Sequence, residues 1–190
     1  MSREKIFETF RKNRYLIFSC AVLICGIIFG TAVLKYIPDE LCKNIYGIIS
    51  KESGEFLISF IDKFTLPFII LTALYLSGFS AAGQITAALA VFADGAIYGI
   101  KTAVNYSFAG TDFLILALLE YFTFTIYIGF LILIMSENAL ASAKKVFVSL
   151  KSDLPEKSHY NAKKITVKYV TFTAVFAVFS AFSVFVSGIF

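Results

Sequence analysis

Leu76-Ser-Gly-Phe-Ser-Ala-Ala-Gly83, followed by Asp94-Gly-Ala-Ile-Tyr-Gly99, lies inside the longest nearly uncharged run of the chain. From Phe64 to Ile100 the only formal charge is Asp94. One bilayer crossing needs about 20 apolar residues, so two crossings share this run. Gly78 and Gly83, with Ser and Ala around them, are where the chain is expected to reverse, because glycine tolerates backbone angles that other residues avoid. Residues 64–100 therefore read as a tight helical hairpin. Gly95 and Gly99, one turn apart, give its return helix a face on which another helix can lie close.

Composition agrees with a membrane setting. Of 190 residues 58% are hydrophobic and 16% charged, and the mean hydropathy is +0.81. These values exclude an ordinary water-soluble domain. The chain has no Trp, so an interfacial aromatic belt falls to its 10 Tyr and 22 Phe. Lys and Arg flank the apolar runs instead of forming one patch, which argues for topology signals and against a nucleic-acid partner. Cys20, Cys25 and Cys42 make no metal-ligand spacing and no even-numbered disulfide framework. Cys42 reads either as a small packed hydrophobe or as an outward free thiol.

The fold class that follows is all-α: a polytopic membrane helical bundle forming a single domain over 1–190. Five crossings are expected, at 15–34, 64–79, 82–100, 113–136 and 169–190. Arg3, Lys5, Arg11, Lys12 and Arg14 precede the first crossing, and seven lysines lie in 137–168. The positive-inside tendency then puts the N-terminus and a basic loop 137–168 in the cytoplasm, and the C-terminus outside. The first crossing is read as uncleaved, since Tyr15–Leu34 exceeds the usual length of a signal-peptide core. It carries Gly26-Ile-Ile-Phe-Gly30, a second GxxxG spacing. Residues 35–63 are too charged to cross. Leu41, Ile45, Ile48 and Ile49 form one helical stripe there, and Phe56, Leu57, Phe60, Ile61 and Phe64 another, so two short amphipathic helices are expected along the outer surface, with Pro38 near the start of the first. Phe56 and Phe60 are the candidate partner contacts. Lys101–Asp112 is expected to be a short polar loop.

Two acids lie in expected crossings, Asp94 and Glu120. Such residues are functional candidates because lipid exposure is costly. Counting from the outer ends of their segments puts each roughly 10 Å deep, at ~1.5 Å per residue. If they face each other they share a proton and make a cation- or proton-sensitive site. The alternative is a structural role, with hydrogen bonds to Tyr98, Tyr121 or Thr123, or pairing with Lys101. Catalytic patterns fail. Gly78-Phe-Ser80-Ala-Ala-Gly83 has the wrong spacing for a serine-hydrolase elbow, and the only histidine, His159, lies in the basic loop. No metal, phosphate-loop or cofactor motif occurs, so no enzyme is expected.

Taken together, the Gly26/Gly30 segment, the Gly78, Ser80 and Gly83 hairpin, the Gly95 and Gly99 helix, and a final helix led by Tyr169 resemble the stage II sporulation protein M family of multi-pass membrane proteins. The chain departs from that family in the fourth crossing, where Glu120-Tyr-Phe-Thr stands in place of a Pro-containing motif. The resemblance implies a non-enzymatic scaffold in the lipid bilayer. It implies partners too: the peptidoglycan-degrading hydrolases of the engulfment complex, recruited during septal membrane migration in endospore formation. Whether the chain also forms a homo-oligomer through its glycine faces is left open by the sequence. A reading of another class is a small-molecule or ion carrier, or a transporter subunit, using Asp94 and Glu120.

Overall fold

The computed structural model describes residues 13–49, 56–151 and 162–187, with backbone alone at 48–49, 109–128, 150–151, 162 and 186–187. All the regular structure described is helical. Helix α1 (Arg14–Val33) continues into a 3-10 turn, Leu34–Tyr36. Ile37 is then extended, at φ −86° and ψ 131°, because the ring of Pro38 disfavours helical geometry in the residue before it. Helix α2 (Asp39–Ile49) restarts with Asp39 and Glu40 in its first turn, where carboxylates meet the positive end of the helix dipole. Helix α3 (Phe56–Ser77) carries Pro67 in its interior. Helix α4 spans Gly83–Lys151 and helix α5 Ala162–Ser187.

Four stretches among the described residues are long and apolar enough to cross a membrane: Arg14–Tyr36, Phe56–Ser77, Gly83–Phe108 and Lys163–Phe185. The protein is a multi-pass integral membrane protein. The side chains of most of the expected crossing at 113–136, those of 113–128, lie outside the described residues, as does Glu120.

At 69 residues α4 would be about 100 Å long if straight. It is not straight. A Cβ on Gly83 would stand 3.0 Å from the Ala143 Cβ, 60 positions along the same helix. Both ends also meet α1: Leu23 lies against Gly95, and Ser19 is hydrogen-bonded to Ser136 at 2.8 Å. The helix therefore consists of two arms, 83–108 and 129–151, that run antiparallel and fold back between them. Their register sets Gly83 level with Ala143 and Val91 level with Ser136.

The other directions follow from contacts. Leu23 against Gly95 and Ile27 against Gly99 make α1 parallel to the first arm. Tyr75 with Thr166 and Phe64 with Phe176 make α3 and α5 antiparallel. The core gathers Ile70, Leu71 and Leu74 of α3, Ala87 and Val91 of the first arm, Ile132, Met135, Ala139 and Leu140 of the second, and Ile165 and Phe176 of α5. Leu76, Ile85, Leu89, Val178 and Phe182 point outward and are exposed, as lipid-facing residues must be in a bundle with apolar surroundings.

Three expectations change in detail. The second amphipathic stripe is not a separate surface helix: residues 56–63 are the first two turns of α3, because nothing between Phe56 and Ser77 interrupts the helix, Pro67 included. The residues 101–108, expected as loop, are helical; Asn105 and Val104 are buried there, so packing overrides turn propensity. In α2 the residue turned inward is Cys42, at 6% exposure, while Leu41 is 52% exposed. Tyr46, one turn on from Cys42, stacks on Phe108 at 5.1 Å and fixes that face.

Candidate functional site

Seven small residues were singled out by spacing, and all seven lie at tight backbone junctions or in the turn that joins them. A Cβ on Gly26 would run into the Phe92 carbonyl, one on Gly30 into the Ala96 carbonyl, one on Gly95 into the Leu23 carbonyl, and one on Gly99 into the Ile27 carbonyl. The two GxxxG faces are thus each other's partners. They pack against each other inside one chain.

The hairpin turn works differently. Phe79 and Ser80 donate backbone N–H groups to the Leu76 and Ser77 carbonyls at 3.1 Å each, and Gly83 donates to the Ser80 carbonyl at 3.0 Å. The Ser80 hydroxyl accepts the Ala82 N–H at 3.2 Å, so it stitches the turn. Any side chain on Gly83 would strike the Ser77 carbonyl. Gly78 lies over the second arm, with a notional Cβ 3.7 Å from the Ala139 Cα and 3.9 Å from the Ser142 Cβ.

Asp94 is half-buried on the first arm, next to the Gly95 junction. Lys101 lies seven positions on along the same helix face, and the two interact electrostatically. The register of the arms sets positions 132 and 133 level with Asp94, about twelve positions from 120. Among the described residues no group of three His, Cys, Asp or Glu could hold a metal ion. Phe60 is half-buried and stacks on Phe64 at 5.4 Å, and Phe64 in turn on Phe176 at 5.5 Å, so Phe60 belongs to the α3–α5 seam. Phe56, on the first turn of α3, is 55% exposed.

No protein-family model, curated protein or solved structure matches this chain.

The polar contacts between helices escaped the sequence reading. Ser19 and Ser136 are both buried, and the Ser136 hydroxyl, as donor, has two acceptors at 2.8 Å, the Ser19 hydroxyl and the Leu133 carbonyl. Thr72 and Tyr169 share a hydrogen bond at 2.9 Å, and Tyr75 and Thr166 one at 3.1 Å. The rings of Tyr75 and Tyr169 stack with centroids 4.5 Å apart. Lys168 donates to the Asn138 side-chain oxygen at 2.6 Å, and Lys63 to the Ser183 hydroxyl at 3.3 Å. Each pair is separated by at least 30 positions, so no local spacing announces it. The available signal was the presence of hydroxyl, amide and lysine side chains on otherwise apolar helices, where membrane helices use them to hold one another.

Proposed function

We propose that this protein is a non-enzymatic membrane scaffold. The observation that carries the reading is where its small and polar residues go. Glycines and hydroxyls close seams between helices, Asp94 interacts electrostatically with Lys101 on its own helix, and the seam beside Asp94 is packed to backbone contact. A carrier needs its acids to converge on an open polar path. The register that separates the level of Asp94 from position 120 disfavours that arrangement.

The scaffold crosses the membrane five times, the second arm of α4 providing the crossing that follows Gly83–Phe108. Charge supports the orientation with the N-terminus inside. At the end of the bundle holding the 78–83 turn, the cations on described helices are Arg14, Lys144, Lys145, Lys151, Lys163, Lys164 and Lys168, against one described acid, Glu137. At the opposite end Lys35, Lys43, Lys63 and Lys101 meet Asp39, Glu40 and Asp62, with Asp94 two turns deeper on the helix of Lys101. Cytoplasmic ends carry the basic excess. The outer face then consists of α2 and the start of α3, with Tyr36, Leu41, Phe56 and Leu57 exposed.

That outer face is where a partner protein docks. The family resemblance names cell-wall hydrolases as the partners to test first, in a sporulating host. The glycine spacings that suggested the resemblance are themselves accounted for by packing within the chain, so the partner class rests on experiment. Affinity purification of the tagged full chain in mild detergent, with mass spectrometry of what accompanies it, is that experiment. Recovery of wall hydrolases, lost in a Phe56→Asp, Leu57→Asp variant that still folds, is expected. Stoichiometric recovery of transporter subunits instead would overturn the scaffold reading.

A further inference from the structure

Helix α3 turns one strip away from the bundle: Ile58, Ile61, Asp62, Thr65, Ile69 and Leu76 share a face by helical spacing, and all are exposed. Four of these are the aliphatic side chains that a lipid-facing strip requires. Thr65 is satisfied within the helix, its hydroxyl donating to the Ile61 carbonyl at 2.6 Å. Asp62 is not: among the described residues no hydrogen bond or ion pair reaches its carboxylate. Its neighbour Lys63 leaves the strip and donates to the Ser183 hydroxyl of α5 at 3.3 Å.

The register of the bundle gives the depth of Asp62. Tyr75 meets Thr166 and Phe64 meets Phe176, so position 178 of the antiparallel α5 is level with Asp62. The apolar span of α5 runs on outward to Phe185. On the other side the 78–83 turn brings Ser77 to the level of Gly83, which sets Asp62 level with position 98 of the first arm, well short of the end of that span at Phe108. At ~1.5 Å per residue, Asp62 sits roughly 10 Å inside the outer ends of its neighbours. Lysine and arginine can reach the interface from such a depth on their long stems; aspartate, with one methylene, cannot. Ionisable side chains in a membrane face the bundle interior or pair with one another, because bare exposure to lipid is costly. Asp62 does neither within this chain.

A second copy is a poor match. A two-fold contact in the membrane brings equal depths together, and the exposed cations among the described residues lie at the two ends of the bundle. Lys63, at the right depth, is half-buried and turned to α5. The strip is complemented by a cation from a different chain, set among apolar side chains that pack on Ile58, Ile61 and Ile69.

We propose that the α3 strip centred on Asp62 is a contact face for a transmembrane helix of another protein, and that this helix carries a lysine or arginine level with Asp62. The contact lies inside the membrane, apart from the outer face of α2, and stands whether or not wall hydrolases dock there.

The test is photo-crosslinking in membranes of the native host. A photoreactive amino acid replaces Ile61 or Thr65 in the full chain, and the crosslinked segments are identified by mass spectrometry. Both positions should crosslink to a transmembrane segment of a second protein with a lysine or arginine within one helical turn of the attachment point. The same probe at Leu89, exposed on the first arm, should give no such product. Asp62→Asn should lower the yield several-fold and Asp62→Glu should keep it, a pairing that loss of fold at an exposed position would not produce. Crosslinks to lipid only, to a second copy of this chain, or to a segment without a basic residue would each overturn the proposal, as would an unchanged yield from Asp62→Asn.

Discussion

Replacing Gly95 by alanine adds a single methyl group where α1 and the first arm of α4 touch. That methyl would collide with the Leu23 carbonyl and lie 3.2 Å from the Ile27 nitrogen and 3.3 Å from the Gly26 Cα, all backbone atoms that cannot rotate aside. Relief requires the two helices to part. A gap of 0.5–1 Å forfeits roughly a quarter to a half of each dispersion contact across the seam, and overpacking of this kind costs about 1–3 kcal/mol. The internal controls are Gly47→Ala and Gly129→Ala, where a Cβ would meet nothing within 4 Å. There the lost backbone freedom of glycine is the main change, worth about 0.5–1 kcal/mol in favour of the variant. The assay is reversible unfolding of the full chain from mixed micelles by titration with denaturing detergent, followed by circular dichroism. Gly95→Ala should unfold at lower denaturant than the parent and Gly129→Ala at equal or higher. If Gly95→Ala and Gly129→Ala unfold together, the seam is not packed to backbone contact and the reasoning fails.

Two serines of equal burial should respond with opposite sign in the same assay. Ser136→Ala removes the bond to Ser19 and should cost about 0.6 kcal/mol, the usual size of a hydrogen bond between membrane helices. Ser180 is 0% exposed and its hydroxyl has no hydrogen-bond partner among the described residues, so Ser180→Ala should be neutral or stabilising, by up to about 1 kcal/mol; a loss equal to that of Ser136→Ala would refute this. Cys42 is buried although it sits on the charged connecting segment. In a chain with Cys20 and Cys25 replaced by alanine it should resist a water-soluble maleimide until the protein is unfolded, and immediate labelling would show that α2 does not pack on α4 as described.

The apolar lengths, the hairpin turn at 78–83 and the glycine junctions were legible because each rests on a local property: hydropathy over one crossing, or a missing side chain one helical turn from another. What was not legible depends on pairing between distant parts of the chain. Nothing near Ser19 points to Ser136, and nothing near Asn138 points to Lys168. The fate of 56–63 was misjudged for a different reason. Asp62 and Lys63 read as charges that must leave the membrane, whereas Asp62 is exposed in the second turn of α3 and Lys63 reaches Ser183. Residues 101–108 contain Asn105 and Ser107, which favour turns in isolation, yet the Ser107 hydroxyl bonds back to the Ala103 carbonyl at 2.9 Å and the helix continues.

The bundle depends on α4 folding back so that its second arm reaches the 78–83 turn. A notional Cβ at Gly78 lies 3.9 Å from the Ser142 Cβ, within the 3.5–4.5 Å range that a disulfide spans. On a straight α4, Ser142 would be nearly 90 Å from the start of the helix. A Gly78→Cys, Ser142→Cys variant, with the three native cysteines replaced by alanine, should form an intramolecular disulfide on mild oxidation in membranes, visible as a gel-mobility shift reversed by reductant. If both cysteines alkylate readily when present singly but never cross-link together, the arms do not lie side by side, and the bundle described here is wrong.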